Sequence, residues 1–239
     1  MRNVGNIIAH IPARAGSKRV QSKNLRYLGD QPLLAYAVHA ALGCQSLDSV
    51  YVNTDSDLIA ALAEELGVSI YRRKSSLASD NTKSDEFNID IIEALKPDTL
   101  VMINPVCPFI ESADIEKAIE SYKSDSVDTL ITTTPTQMQC FYREQPVNID
   151  VNEPLAPSQE NDPVHACNWG ITIWDTQKFR ERYYRKGFSV FGDKRKLFPI
   201  DSRKGIKIST EEDFRLAEMI VRAIKSKNIE AQRIKYWEK

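Results

Sequence analysis

The sequence predicts an α/β fold: a single domain, residues 1–239, built on an open, doubly wound, mostly parallel sheet. Over the first 130 residues short β-branched runs alternate with amphipathic helical runs, the pattern left when parallel strands are joined by crossover helices. After Pro135 the rhythm stops until Cys167, with Pro146, Pro154, Pro157 and Pro163 in the gap, and then returns. A chain of 239 residues suits one main domain with an appendage.

Asn6 to Pro12 reads as the first strand. A helix follows over Pro32 to Ala41, where Leu33, Leu34, Ala37, Val38 and Ala41 fall at the spacing of one buried face. Ser49 to Asn53 is the second strand, and Ser56 to Leu66 a helix whose Leu58, Ile59, Leu62, Ala63 and Leu66 repeat that face before Gly67 stops it. Val68 to Tyr71 is a third strand. Ser84 to Leu95 is helical, Thr99 to Ile103 a buried strand, Ser112 to Tyr122 a helix capped by its serine, and Thr129 to Thr133 a strand. Past the gap come a strand over Asn168 to Trp174, a helix over Thr176 to Lys186, a short strand over Ile206 to Ile208 and a helix over Glu211 to Ile224. Such a sheet binds ligands at the carboxyl ends of its strands, so loops 12–24, 53–56, 72–84 and 104–111 are expected to meet at one site. An irregular stretch as long as 135–167 is expected to be a functional or interaction arm.

Thirty-two basic residues against 33 acidic ones leave a net charge of −1, so no global basic field draws the chain to nucleic acid or a membrane. Ile7 to Ile11 is too short for a secretory segment, and a cytoplasmic location is expected. Cys44, Cys107, Cys140 and Cys167 lack the spacing of a zinc site or disulfide framework and read as reduced, mostly buried thiols. His10 and His39 read as structural, and His165 has no assignment. Tyr142, Tyr183, Tyr184 and Phe191 read as core or interface before sugar pocket.

The chemistry concentrates in Ile11-Pro12-Ala13-Arg14-Ala15-Gly16-Ser17-Lys18-Arg19 and its continuation Gln21-Ser22-Lys23-Asn24-Leu25. Small residues and cations directly after a first strand suit a triphosphate. Ala15 and Gly16 let backbone N–H groups approach phosphate oxygens, Ser17 adds a hydroxyl, and Arg14, Lys18 and Lys23 neutralise charge. The spacing is not that of a Walker A loop, and no second basic stripe points to nucleic acid.

This stretch resembles the IPARxGSKxxxxKNL signature of the CMP-sialate cytidylyltransferases and their pseudaminic, legionaminic and KDO relatives. Val52-Asn53-Thr54-Asp55 resembles that family's VSTD strand end. Arg73 with Leu77-Ala78 and Asp80 resembles its RPxxLAxD segment, followed by Ser84. Asn104-Pro105-Val106-Cys107-Pro108 stands in the place of QPTSP, Asn168 with Ile171 to Trp174 in that of NGAxYxW, and Ser209 to Asp213 in that of DTxED. The resemblance implies a Rossmann-like fold of the nucleotide-diphospho-sugar transferase type with an extended dimerisation arm, and hence a homodimer. It implies attack of the anomeric hydroxyl of a 2-keto sugar acid on the α-phosphate of CTP, assisted by Mg²⁺. By the same resemblance Ala13, Arg14, Ala15, Gly16, Ser17, Lys18, Lys23, Asn24, Asp55, Arg73 and Ser84 hold the nucleotide, and Asn104, Pro105 and Asn168 the sugar. Arg14 and Lys18 are the expected catalytic pair, since in-line displacement asks for positioning and charge neutralisation.

The sequence departs from the family where metal and sugar are expected. The family's DIDT, whose aspartates are metal ligands, is Lys207-Ile208-Ser209-Thr210 here. Asn104 and Cys107 replace a glutamine and a serine, Ile110 an arginine, and Pro157-Ser158-Gln159-Glu160 the arm's RRQD. Lys207 could itself supply the metal's charge, or Asp55, Asp201 or Glu211 could recruit the ion. A nucleotide-binding homologue without transferase activity, or a transferase for another nucleotide or sugar, stays open.

Overall fold

The computed structural model describes residues 3–226. Among these, seven strands form the main sheet: β1 (Ile7–Pro12), β2 (Ser49–Thr54), β3 (Ser69–Arg72), β4 (Thr99–Ile103), β5 (Thr129–Thr136), β6 (Val164–Asp175) and β7 (Arg195–Pro199). Their order is β3-β2-β1-β4-β6-β5-β7, parallel except for β6, which runs antiparallel to both neighbours. The helices are α1 (Leu33–Leu42), α2 (Asp57–Glu65), α3 (Ser84–Leu95), α4 (Ser112–Ser124), α5 (Thr176–Lys186) and α6 (Glu211–Lys225).

The sheet is doubly wound because its central strands are apolar on both faces. Every residue of β4 is buried: Val101 and Ile103 pack with α1, α2 and α4, while Leu100 and Met102 pack with α3 and α5. The chain leaves β1 toward β2 and β3, then crosses back to β4. The strand order therefore reverses beside β1, where open α/β sheets hold ligands.

Several elements differ from the sequence reading. Leu58 is 70% exposed, because the buried stripe of α2 is centred on Ile59, Ala60 and Ala63, one residue further round. Ser112 does not cap α4. The cap is Glu111, whose N–H donates to Asp114 Oδ2 at 2.9 Å, and Ser112 is already helical. Ile206 to Ile208 forms no strand; the segment holds the sheet region through one bond, Ile208 N–H to Val106 O at 2.8 Å. The last strand is β7, paired with β5. Its basic, half-exposed edge left no apolar alternation to read.

The irregular arm is shorter than 135–167, since β5 runs on to Thr136 and β6 begins at Val164. Within 137–163 lies a small hairpin pairing Phe141–Tyr142 with Gln145–Pro146, its turn residues Arg143 and Glu144 both at positive φ (47° and 63°). Asn148 and Gln137 brace the arm by donating to backbone carbonyls of Met138, Asp162, Gln159 and Asn161. Among the described residues no helix is long and apolar enough to cross a membrane. All four thiols are free, and Cys167 is exposed.

Candidate active site

β1 ends at Pro12 and the basic loop turns outward, fixed at its root by Ala13 N–H to Asn53 O (3.0 Å) and by Ala15 N–H to Asp55 Oδ1 (3.0 Å). The loop walls a cavity of about 530 Å³ over the carboxyl ends of the strands, lined by Arg14, Gly16, Ser17, Lys18, Lys23, Asn24, Arg73, Pro105 and Ser209. A Cβ on Gly16 would meet nothing within 4 Å, so the missing side chain leaves its backbone open to the cavity. The buried Asn24 Oδ1 has no hydrogen-bond partner among the described residues.

Two cations are matched: Arg14 Nη2 and Lys18 Nζ meet the two oxygens of Asp80 at 2.6 and 2.5 Å. Lys18 first, then Arg14, hold that carboxyl below its ordinary range. Arg19, Lys23, Arg73 and Lys207 form no ion pair among the described residues. Lys23 is pushed down to about 8, chiefly by burial and then by Arg19 and Lys207. Arg73 is pushed down to about 10, mainly by burial. Its Nε and Nη2 donate to the side-chain and backbone oxygens of Asn53 (2.8 and 3.1 Å), and its guanidinium lies 4.5 Å over the Phe87 ring. His10 sits behind Asn53, wholly buried and driven down to about 3 by burial and by Arg73, hence neutral.

A second cavity, about 460 Å³, shares Pro12 and Phe87 with the first and adds Ser84, Asp85, Met102, Asn104, Trp169, Trp174, Phe188, Val190, Phe191 and Lys207. Its aromatic wall is tied down. Asp85 Oδ1 accepts the N–H groups of Ser189 and Val190, and Trp174 Nε1 donates to Val190 O at 2.7 Å. Trp169 and Phe188 were not legible as site residues, because their rings converge only across the fold. Phe191, read as core or interface, lines this cavity; Tyr142 stands exposed on the arm.

The structure thus brings most of the expected residues together, while four of them, Ala13, Ala15, Asp55 and Asn168, line neither cavity. Ala13 is fully buried beneath the loop, and Asp55 braces Ala15. Asn168 lines neither cavity: Oδ1 accepts from Thr132 Oγ1 and Gly170 N–H, and Nδ2 donates to Thr134 Oγ1.

Ile208 is buried against α6, and its carbonyl accepts from Lys23 Nζ at 3.0 Å. Ser209 N–H donates to Asp213 Oδ2 at 2.8 Å. This pinned segment turns Lys207 into the second cavity and Ser209 into the first, although it is not a strand. These residues do not fit Mg²⁺, a hard cation that takes carboxylate oxygens. The nearby carboxylates of Asp55 and Asp80 are engaged by the loop, and no group of three or more His, Cys, Asp or Glu among the described residues could hold a metal ion.

Against known proteins, residues 8–191 match the cytidylyltransferase family. Post-translational flagellin modification protein B of Campylobacter coli is 28% identical, over 96% of this chain and 99% of its own length. CMP-N,N'-diacetyllegionaminic acid synthase of Legionella pneumophila is 27% identical, over 90% and 96% respectively. An N-acylneuraminate cytidylyltransferase of Escherichia coli is 38% identical over 49% of this chain but only 28% of its own length. Among solved structures, a CMP:2-keto-3-deoxy-manno-octonic acid synthetase complexed with CTP superposes with a TM-score of 0.69 at 13% identity, covering 92% of this chain and 99% of that one. That likeness is one of fold, a Rossmann-like nucleotidyltransferase sheet. With the match running from Ile8 in β1 to Phe191 on the wall of the second cavity, the chain belongs to the cytidylyltransferase family.

Proposed function

We propose that the protein transfers the cytidylyl group of CTP to the anomeric hydroxyl of a 2-keto sugar acid, giving the CMP-sugar and pyrophosphate. The observation that carries this reading is the pairing of two contiguous cavities: one walled by cations in excess of their carboxylate partners, the other by aromatic rings with few polar groups. The first suits a triphosphate and the second a sugar. Their shared residues, Pro12 and Phe87, mark where the two substrates meet.

On this reading Arg14 and Lys18 exchange the exposed Asp80 for phosphate oxygens, since a solvated ion pair holds them weakly. The sugar hydroxyl attacks the α-phosphorus and releases its proton to solvent, the bond to the bridging oxygen breaks, and the negative charge gathering on the departing pyrophosphate is neutralised by Arg14, Lys18 and Lys23. Arg73, rigidly held by Asn53, and Asn24, with its unpaired acceptor, flank the nucleoside side. Lys207 lines the second cavity, where its ammonium meets the sugar carboxylate or the α-phosphate in the role that metal-held charge would fill. The arm exposes Met138, Phe141, Tyr142, Val147, Val151 and Leu155, an apolar run that suits a second copy of the chain.

The test is pyrophosphate release from CTP over a panel of 2-keto sugar acids, with CTP binding followed by calorimetry. Release with one acid is the expected result. CTP binding without release from any acid would overturn transfer in favour of nucleotide binding alone.

A further inference from the structure

Trp169 adopts φ 61°, in the left-handed region that bulky side chains avoid. It sits in β6 where the pairing with β5 slips between Cys167 and Thr172. The surroundings force this backbone. Asn168 accepts from Gly170 N–H (3.0 Å) and Thr132 Oγ1 (2.7 Å), and Asn104 N–H donates to Gly170 O (2.9 Å). A Cβ on Gly170 would lie 2.3 Å from Ile110 Cδ1, so a side chain there requires Ile110 to shift. The glycine of the bulge is thus spent on close approach, and the left-handed residue beside it is a tryptophan, where the NGAxYxW pattern has its glycine.

Strain of this kind persists where the structure over-determines it and marks functional sites. The strained backbone delivers the half-buried indole into the second cavity, edge-on to Phe191 with ring centroids 5.3 Å apart at 69°. Phe87, Met102 and Phe188 line the same cavity, while the polar groups there are few: Ser84, Asn104, Lys207 and Asp85, whose Oδ1 is already taken by two backbone N–H groups. A sugar bearing a hydroxyl on every carbon would leave several of them without partners against these rings, which is costly.

We propose that Trp169 is the specificity-determining platform for the acceptor: its indole packs on apolar substituents of the 2-keto sugar acid, so that deoxygenated and N-acylated acids are preferred to fully hydroxylated ones. The proposal rests on the transferase reading above. The acid's single charge falls to Lys207, and the ring face carries the methyl or acyl groups.

The experiment compares kcat/KM for paired 2-keto sugar acids of one carbon skeleton, with and without deoxy and N-acyl groups, in the wild type, Trp169→Asn and Trp169→Phe. Asparagine tolerates the left-handed backbone without supplying a ring. The wild type should favour the apolar acid by at least about tenfold. Trp169→Asn should abolish that preference through KM while the Kd for CTP stays within about twofold, and Trp169→Phe should restore most of it. An unchanged preference in Trp169→Asn, or a loss of CTP binding in step with the rise in KM, overturns the assignment and leaves the transferase reading standing. Absence of pyrophosphate release with every acid overturns both.

Discussion

Lys23 shows how one buried side chain ties site chemistry to pH. Burial beside Arg19 and Lys207 brings it down to about 8, so the free protein loses this charge as pH rises through that value. A triphosphate favours the charged form, and its binding then requires uptake of a proton. CTP affinity is expected to hold below pH 8 and to fall above it by up to about tenfold per pH unit. Lys23→Arg, permanently charged, should flatten the profile in calorimetric titrations; a flat wild-type profile would remove Lys23 from the phosphate site. The cationic loop was legible because its residues are consecutive and follow a strand. Asp80's pairing with Arg14 and Lys18, like the Asn53 and His10 support beneath Arg73, was not, since these contacts join residues far apart in sequence.

At the scale of elements, helices with a full apolar stripe and strands buried on both faces declare themselves, as α1, α3 and β4 do. β7 did not, because its Arg195 and Lys196 leave the short strand without an apolar alternation to read. The bulge in β6 was equally silent, although it shapes the site. It rests on Gly170, and Gly170→Ala should destabilise the fold by about 1–3 kcal/mol, the range for overpacking a tight core. Trimming the opposing Ile110 to alanine should make the glycine substitution nearly neutral. Urea denaturation of the two single variants and the double variant checks this; strict additivity would mean that the Ile110 contact is not the constraint.

Across the whole molecule, two expectations concern what binds it. With Lys207 and Ser209 facing the cavities and no carboxylate cluster beside them among the described residues, the nucleotide-free protein should show no tight Mn²⁺ site by electron paramagnetic resonance. Lys207→Ala should lower kcat by about a hundredfold, the cost of one preorganised charge. Stoichiometric Mn²⁺ binding would return the metal to the protein's own residues. Sedimentation at micromolar concentration should give a dimer, and Phe141→Asp with Leu155→Asp on the exposed arm should give a monomer; a monomeric wild type would leave the arm's apolar run for another partner. The sequence by itself determined the α/β class, the order of most elements, the place of the cationic loop after the first strand and the family, because periodicity and contiguous motifs are local properties of a chain. Only the tertiary structure decided which rings form the second cavity, that Asn168 braces a bulge and lines neither cavity, and that Lys207 reaches the second cavity from a pinned loop. Those outcomes depend on contacts between residues separated by tens to hundreds of positions, set by sheet order and burial rather than by any pattern along the chain.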